Sequence, residues 1–168
     1  MFFIEKKTTD RVVIESPLNY TGSKSKMVGF IKSQLPPKGI DTFVDAFGGG
    51  FNVGINIDAR KIIYNDINPF VEGLIRSFYT DPCSYLQYIE RQIKKYNLSP
   101  DNKDGFLELR EKYNSIPVAK RDPRMLYTLI LYGFQQQIRF NTNWGFNNPA
   151  GSRWFNENLL SKFIAFTR

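Results

Sequence analysis

A chain of 168 residues, 42% of them hydrophobic, is long enough for one domain with its own core. Its formal charge of +7 and pI near 9.5 favour a polyanionic partner such as nucleic acid. With no histidine and one cysteine it lacks an internal disulfide, a transition-metal cluster, zinc-water chemistry and a Ser-His or Cys-His nucleophile pair.

The opening "MFFIEKK" is too short an apolar run for a signal peptide, and no stretch of about 18 apolar residues follows. The expectation is a protein of the reducing cytoplasm, with no membrane and no metal, in which Cys83 is a small buried apolar residue. Residues 11–15, "RVVIE", read as extended, and a loop then leads into a helix on which Met27, Val28, Ile31 and Leu35 recur at helical spacing until Pro36 and Pro37 stop it. "DTFVDAF" reads as a strand, three glycines follow, and "FNVGINI" is a candidate helix start. "KIIYNDIN" reads as a second buried strand ending at Asp66, and "PFVEGLIRSFY" as a helix with Pro69 in its first turn. That order describes a parallel doubly wound α/β sheet.

Beyond Tyr79 the pattern is helical: 82–96, 104–114 and 122–139, the last with a stripe of Leu126, Leu129, Ile130, Gly133 and Phe134. A helical subdomain therefore starts near Asp81, giving regions 1–80 and 81–168. The tail begins with a polar, aromatic, Asn-rich loop and ends in a short helix.

Glycines at the carboxyl end of a strand allow positive φ and close approach of a ligand, and a carboxylate ending the next strand suits a ribose diol. Asp66 lies 21 residues after Asp45, so the pair points to a nucleoside-containing cofactor. The alternative is a glycine turn needed only for packing, with Asp66 capping the next helix. A dinucleotide fits less well, because the fingerprint starting at Gly48 meets Val53 in place of its third glycine.

"PLNYTGSKSKM", "FVDAFGGGFNVG", "IIYNDIN" and "RFNTNWGFNNPAG", in this order, resemble the DNA adenine N6-methyltransferases of the Dam type. That family has an aromatic residue followed by Gly-Gly-Lys, then Asp/Glu-Pro-Phe-x-Gly-x-Gly, then a strand ending in Asp. A helical target-recognition region with Arg-Tyr-Asn and Phe-Asn-x-Pro-x-Gly signatures follows. The resemblance covers nearly the whole chain and implies a partial Rossmann-like methyltransferase sheet (1–80) with an α-helical target-recognition subdomain (81–168). By the same resemblance Tyr20 and Lys24 would contact S-adenosylmethionine, Asp45, Gly48, Gly49 and Gly50 would surround its methionine part, Asp66 would accept from its ribose hydroxyls, and Ile67 would pack on its adenine. Ser23, Ala46 and Phe51 replace a glycine, the proline and a glycine of the pattern.

In the tail, Arg139, Asn141, Asn143 and Arg153 can donate to phosphates or purines, and Trp144 or Phe146 can stack on bases; equally, the Asn side chains can hold a turn whose aromatics are core. Lys120 and Arg121 precede the helix leading to this loop and join the candidate contacts to double-stranded DNA. The family's Asp/Asn-Pro-Pro-Tyr/Phe tetrapeptide, which holds the extruded adenine, is absent, so no catalytic residue is assigned. "DPCS" at Asp81 and "DPRM" at Asp122 read as N-cap plus first-turn proline. The expectation is an amino-terminal fragment or subunit of a restriction-modification adenine methyltransferase, inactive alone, needing a second polypeptide with the tetrapeptide half or self-association. The alternatives are a non-catalytic DNA-binding or regulatory relic of that fold, or an unrelated nucleotide-binding domain.

Overall fold

The computed structural model describes the backbone of residues 2–4 and all of residues 13–168. The order is β1 (Phe2–Ile4), α1 (Val28–Ser33), β2 (Ile40–Asp45), β3 (Ala59–Tyr64), α2 (Pro69–Thr80), α3 (Pro82–Tyr96), α4 (Lys103–Ser115), α5 (Pro123–Tyr132) and α6 (Glu157–Thr167). It is a mixed α/β chain that divides into two compact units, residues 1–76 with 161–168, and residues 77–160. No described helix is long and apolar enough to cross a membrane.

The first unit is built on a sheet in the order β1-β3-β2. β2 runs parallel to β3, with Phe43 opposite Ile62 and Asp45 opposite Tyr64. β1, which the sequence did not announce, pairs antiparallel with β3, so the sheet is mixed where a parallel one was expected. Ile62 and Tyr64 on one face of β3 are buried with Phe51, Ile55, Ile57 and Phe166. Phe51 stands edge-on to Tyr64 (5.1 Å) and to Phe166 (6.2 Å), so the end of α6 closes this core. The strand ends at Tyr64, two residues before Asp66, and "FNVGINI" supplies only turns and a 3-10 turn at Gly54–Asn56. There Asn56 offers Oδ1 to the Ile14 N–H (2.8 Å) and Nδ2 to its carbonyl (2.7 Å), while Asn52 Oδ1 accepts from Ser16 N–H (2.9 Å). These two amides satisfy backbone groups of the 14–16 segment that a strand ladder would otherwise pair. Residues 13–15 of the expected extended run carry no strand pairing; Arg11 and Val12 lie outside the described residues.

α2 begins as read, with Pro69 in its first turn. Its cap is Asn68, whose Oδ1 accepts from Phe70 N–H (3.0 Å), and not Asp66. In the second unit Asp81 caps α3 through Ser84 N–H (3.1 Å) and Asp122 caps α5 through Arg124 N–H (2.8 Å), each followed by proline as the sequence indicated. Cys83 is exposed in the first turn of α3, because the face of that helix that turns inward carries Tyr85, Ile89 and Tyr96. α5 is buried on every side from Met125 to Tyr132 and packs against α3 and α4. It stops at Tyr132, short of the expected 139. Gly133 leaves the helical region to bridge Ala150, while Phe134 N–H donates to Pro149 O (2.8 Å) and Gly151 N–H to Tyr132 O (2.8 Å). Strand-like pairing with the tail thus replaces the helical bonds that the apolar stripe suggested.

Gln135 and Gln136 both take left-handed φ, 51° and 56°. Such a backbone costs a non-glycine residue about 1–2 kcal/mol. Gln135 is exposed, so Gln135→Gly is expected to stabilise the chain by roughly 0.5–1 kcal/mol after the larger unfolded-state entropy of glycine is counted. Urea denaturation checks this, and an unchanged or lower midpoint would refute it.

Candidate functional site

At the carboxyl ends of β2 and β3 the chain brings most of the expected cofactor residues together. Asp66 Oδ2 accepts from Gly49 N–H (2.8 Å) and its Oδ1 from Asn68 N–H (2.9 Å), which ties the glycine turn to the β3–α2 loop. Asp45 Oδ2 accepts from Gly54 N–H (2.9 Å). Gly48 N–H donates to Asn65 O (2.9 Å), and the Asn65 amide donates to Ala46 O (2.9 Å), so the two strand ends are laced side by side.

The glycine run has an internal explanation. A Cβ on Gly48 would stand 2.3 Å from Tyr64 Cε2, and one on Gly49, at φ 49°, would stand 2.9 Å from Tyr20 Cδ1. The close approach is made by the protein's own rings, and the Tyr64 hydroxyl completes it by donating to Gly49 O (2.7 Å). Tyr64 was not singled out in the sequence, where "IIY" reads as ordinary strand. Phe51, which occupies a glycine of the family pattern, has φ 63°, so the position does demand the conformation that glycine favours.

Electrostatically the site is acidic. Burial raises the Asp45 carboxyl above its ordinary pKa, the Gly54 N–H opposes that, and the charge of Asp66 adds to the rise. Burial, then Asp66, likewise raises the Tyr20 phenol. Among the described residues, the hydrogen bonds to both carboxylates come from backbone N–H groups. Lys24 does not join them; its Nζ donates to Gly22 O (2.8 Å) in its own loop. That loop is held to the glycine turn by Asn52, which donates to Ser23 Oγ (3.2 Å). Ile67 and the neighbouring Phe47 are 93% and 91% exposed, two bare apolar side chains beside the carboxylates. No group of three or more His, Cys, Asp or Glu that could hold a metal occurs among the described residues.

In the second unit the Asn-rich loop is a small hairpin closed by a Phe140–Phe146 bridge. Asn141 Oδ1 accepts from Asn143 N–H (3.0 Å) and Gly145 N–H (2.8 Å), so this amide holds the turn. Phe146 is buried, edge-on to Phe140 (5.6 Å), whereas Trp144 at φ 59° is 45% exposed at the tip with Asn143. Asn114, unmarked in the sequence, bonds both backbone groups of Phe146, from N–H (2.8 Å) and to O (3.0 Å). Arg121 is turned inward, donating to the carbonyls of Ile116, Asn114 and Trp144. Lys120, Arg139 and Arg153 are exposed. Arg139 adjoins the hairpin through its carbonyl, which accepts from Asn147 N–H (3.1 Å), and Arg153 lies beyond it in the tail.

Residues 20–165 match the profile described as D12 class N6 adenine-specific DNA methyltransferase. Over 156 residues the chain is 45% identical to the Type II methyltransferase M.FokI of Planomicrobium okeanokoites and 43% identical to the modification methylase StsI of Streptococcus sanguinis, covering 91% of this chain and 23% of each relative. It is 29% identical over 136 residues to a DNA adenine methylase of Vibrio cholerae, covering 80% of this chain and 47% of that protein. The chain thus spans about a quarter of the length of the first two relatives.

Proposed function

Because the chain belongs to the D12 class N6 adenine-specific DNA methyltransferase family, we propose that it is the amino-terminal part of a site-specific DNA adenine N6-methyltransferase of a restriction-modification system. It transfers a methyl group from S-adenosylmethionine only when a second polypeptide completes it. The observation that carries this reading is the family match from the Tyr20 loop to the last helix, over the same motifs that converge in the two sites. The first unit is then a Rossmann-like cofactor half, and the second a target-recognition subdomain acting on duplex DNA.

The residues at the strand ends fit the cofactor. S-adenosylmethionine supplies an electrophilic methyl group on a positively charged sulfur. Two neighbouring carboxylates, Asp45 and Asp66, whose hydrogen bonds come from backbone N–H groups, suit a cationic ligand carrying a ribose diol. The bare side chains of Ile67 and Phe47 suit a flat base, and Tyr20 over Gly49 bounds the other side. Asp45, Gly48, Gly49 and Gly50 would face the methionine part, with Lys24 released from Gly22. At the hairpin, Asn143 and Trp144 face the duplex, with Lys120, Arg139 and Arg153 at phosphates. β2 lies at the sheet edge with Val44 55% exposed, which offers a docking edge for a strand of the completing polypeptide.

Titration calorimetry tests the cofactor half. Asp66→Ala is expected to weaken S-adenosylmethionine roughly tenfold to a hundredfold, about 1.5–3 kcal/mol for a charged hydrogen bond. Since Asp66 also braces the glycine turn, the cofactor's 2′-deoxy analogue serves as the second arm of a cycle: it should bind wild type weakly and lose little more in the variant. Equal affinities of wild type and variant for the full cofactor, or no binding by wild type even with the completing polypeptide present, would refute the assignment. The second outcome favours a DNA-binding relic, for which the packing of Tyr20 and Tyr64 against the glycines is the supporting observation.

A further inference from the structure

A guanidinium ties the hairpin tip to the body of the second unit. Arg121 Nε donates to Ile116 O (3.0 Å), Nη2 to Asn114 O (3.3 Å) and Nη1 to Trp144 O, and its charge lies 4.9 Å from the centre of the Tyr113 ring. The tip closes on itself through Asn141: Trp144 N–H donates to Asn141 O (3.0 Å), and the Asn141 side chain takes the two N–H groups on either side of Trp144. What those local bonds do not set is the direction in which the tip points from the end of α4. Asn114 on Phe146 and Arg121 on Trp144 tie the tip there.

Resting on the DNA-binding reading above, we propose that Arg121 is a positioning residue of the hairpin tip. It holds the carbonyl of Trp144, a residue already in a left-handed backbone, so that the exposed indole and Asn143 meet the duplex preformed, and it makes no phosphate contact itself. Three of its five N–H donors and one face of its plane are taken by the three carbonyls and the Tyr113 ring, which holds the guanidinium against the chain from Tyr113 to Ile116. A lysine cannot replace it, because an ammonium is a point donor, and the planar fork is what spans three separated oxygens.

Salt-dependent binding separates positioning from charge, because only a phosphate contact releases a counterion. Anisotropy of a fluorescent duplex is measured across salt for wild type, Arg121→Ala, Arg121→Lys and Lys120→Ala. With Lys120, Arg139 and Arg153 as phosphate contacts the wild-type log-log slope is about −2.7, and Lys120→Ala reduces its magnitude by about 0.9. Both Arg121 variants are expected to weaken binding about tenfold or more with the slope unchanged, since a misplaced contact loses affinity without changing the ion count. Amide exchange over residues 141–147 should quicken in both while α3 and α5 stay protected. A slope reduced in Arg121→Ala but restored in Arg121→Lys would make Arg121 a phosphate contact and overturn the proposal. Unchanged exchange at the hairpin, or unchanged affinity, would do the same. Should wild type bind no duplex at all, the DNA reading itself falls and the clamp's role in it falls too, even if exchange quickens.

Discussion

Incubated with labelled S-adenosylmethionine and duplex DNA, the pure chain is expected to transfer no methyl group above background, and transfer should appear on adding a polypeptide that carries an Asp-Pro-Pro-Tyr half. An exocyclic amine is a poor nucleophile. Its attack depends on acceptors that hold it while charge develops, and on a stack that holds the extruded base. Nothing among the 168 residues offers that tetrapeptide: Asp81 and Asp122, the two Asp-Pro candidates, spend their carboxylates on helix N-caps. Enzymatic acceleration is typically at least about a millionfold, so its loss places transfer below detection. Robust labelling of DNA by the pure chain would defeat this expectation. If the mixture also stays inactive while each component is folded, the need for that particular partner is refuted.

Gly48→Ala carries the second large effect. The added methyl would lie 2.3 Å from Cε2 and 2.6 Å from Cδ2 of Tyr64, a side chain with no exposed surface whose hydroxyl is fixed on Gly49 O and whose ring is fixed edge-on to Phe51. Neither the ring nor the turn can yield alone, so overpacking should cost roughly 2–3 kcal/mol. Gly50→Ala is the control: its Cβ meets nothing nearer than 3.3 Å, and a cost below about 1 kcal/mol is expected. Denaturant unfolding of both variants decides it. Equal, small losses would mean that Tyr64 moves aside and that the glycine is kept open for something other than this ring.

The sequence by itself determined what local chemistry specifies. Asp81-Pro82 and Asp122-Pro123 start helices because a short carboxylate and a proline satisfy the first turn without help from elsewhere. The strand read in "DTFVDAF" and found at 40–45, the helix from Pro69, and the order of motifs that led to the family are legible for the same reason.

Only the tertiary structure decided how those pieces are used. That α5 stops at Tyr132 follows from residues 149–151 competing for its backbone, which the apolar stripe through Phe134 cannot reveal. β1 on β3 is a pairing of segments some sixty residues apart, and a three-residue strand carries too little pattern to announce it. Gly48 faces Tyr64, and Arg121 faces inward, because of neighbours distant in sequence. A glycine states that a side chain is forbidden without saying what stands there, and an arginine states a charge and five donors without saying whether a phosphate or three carbonyls will receive them.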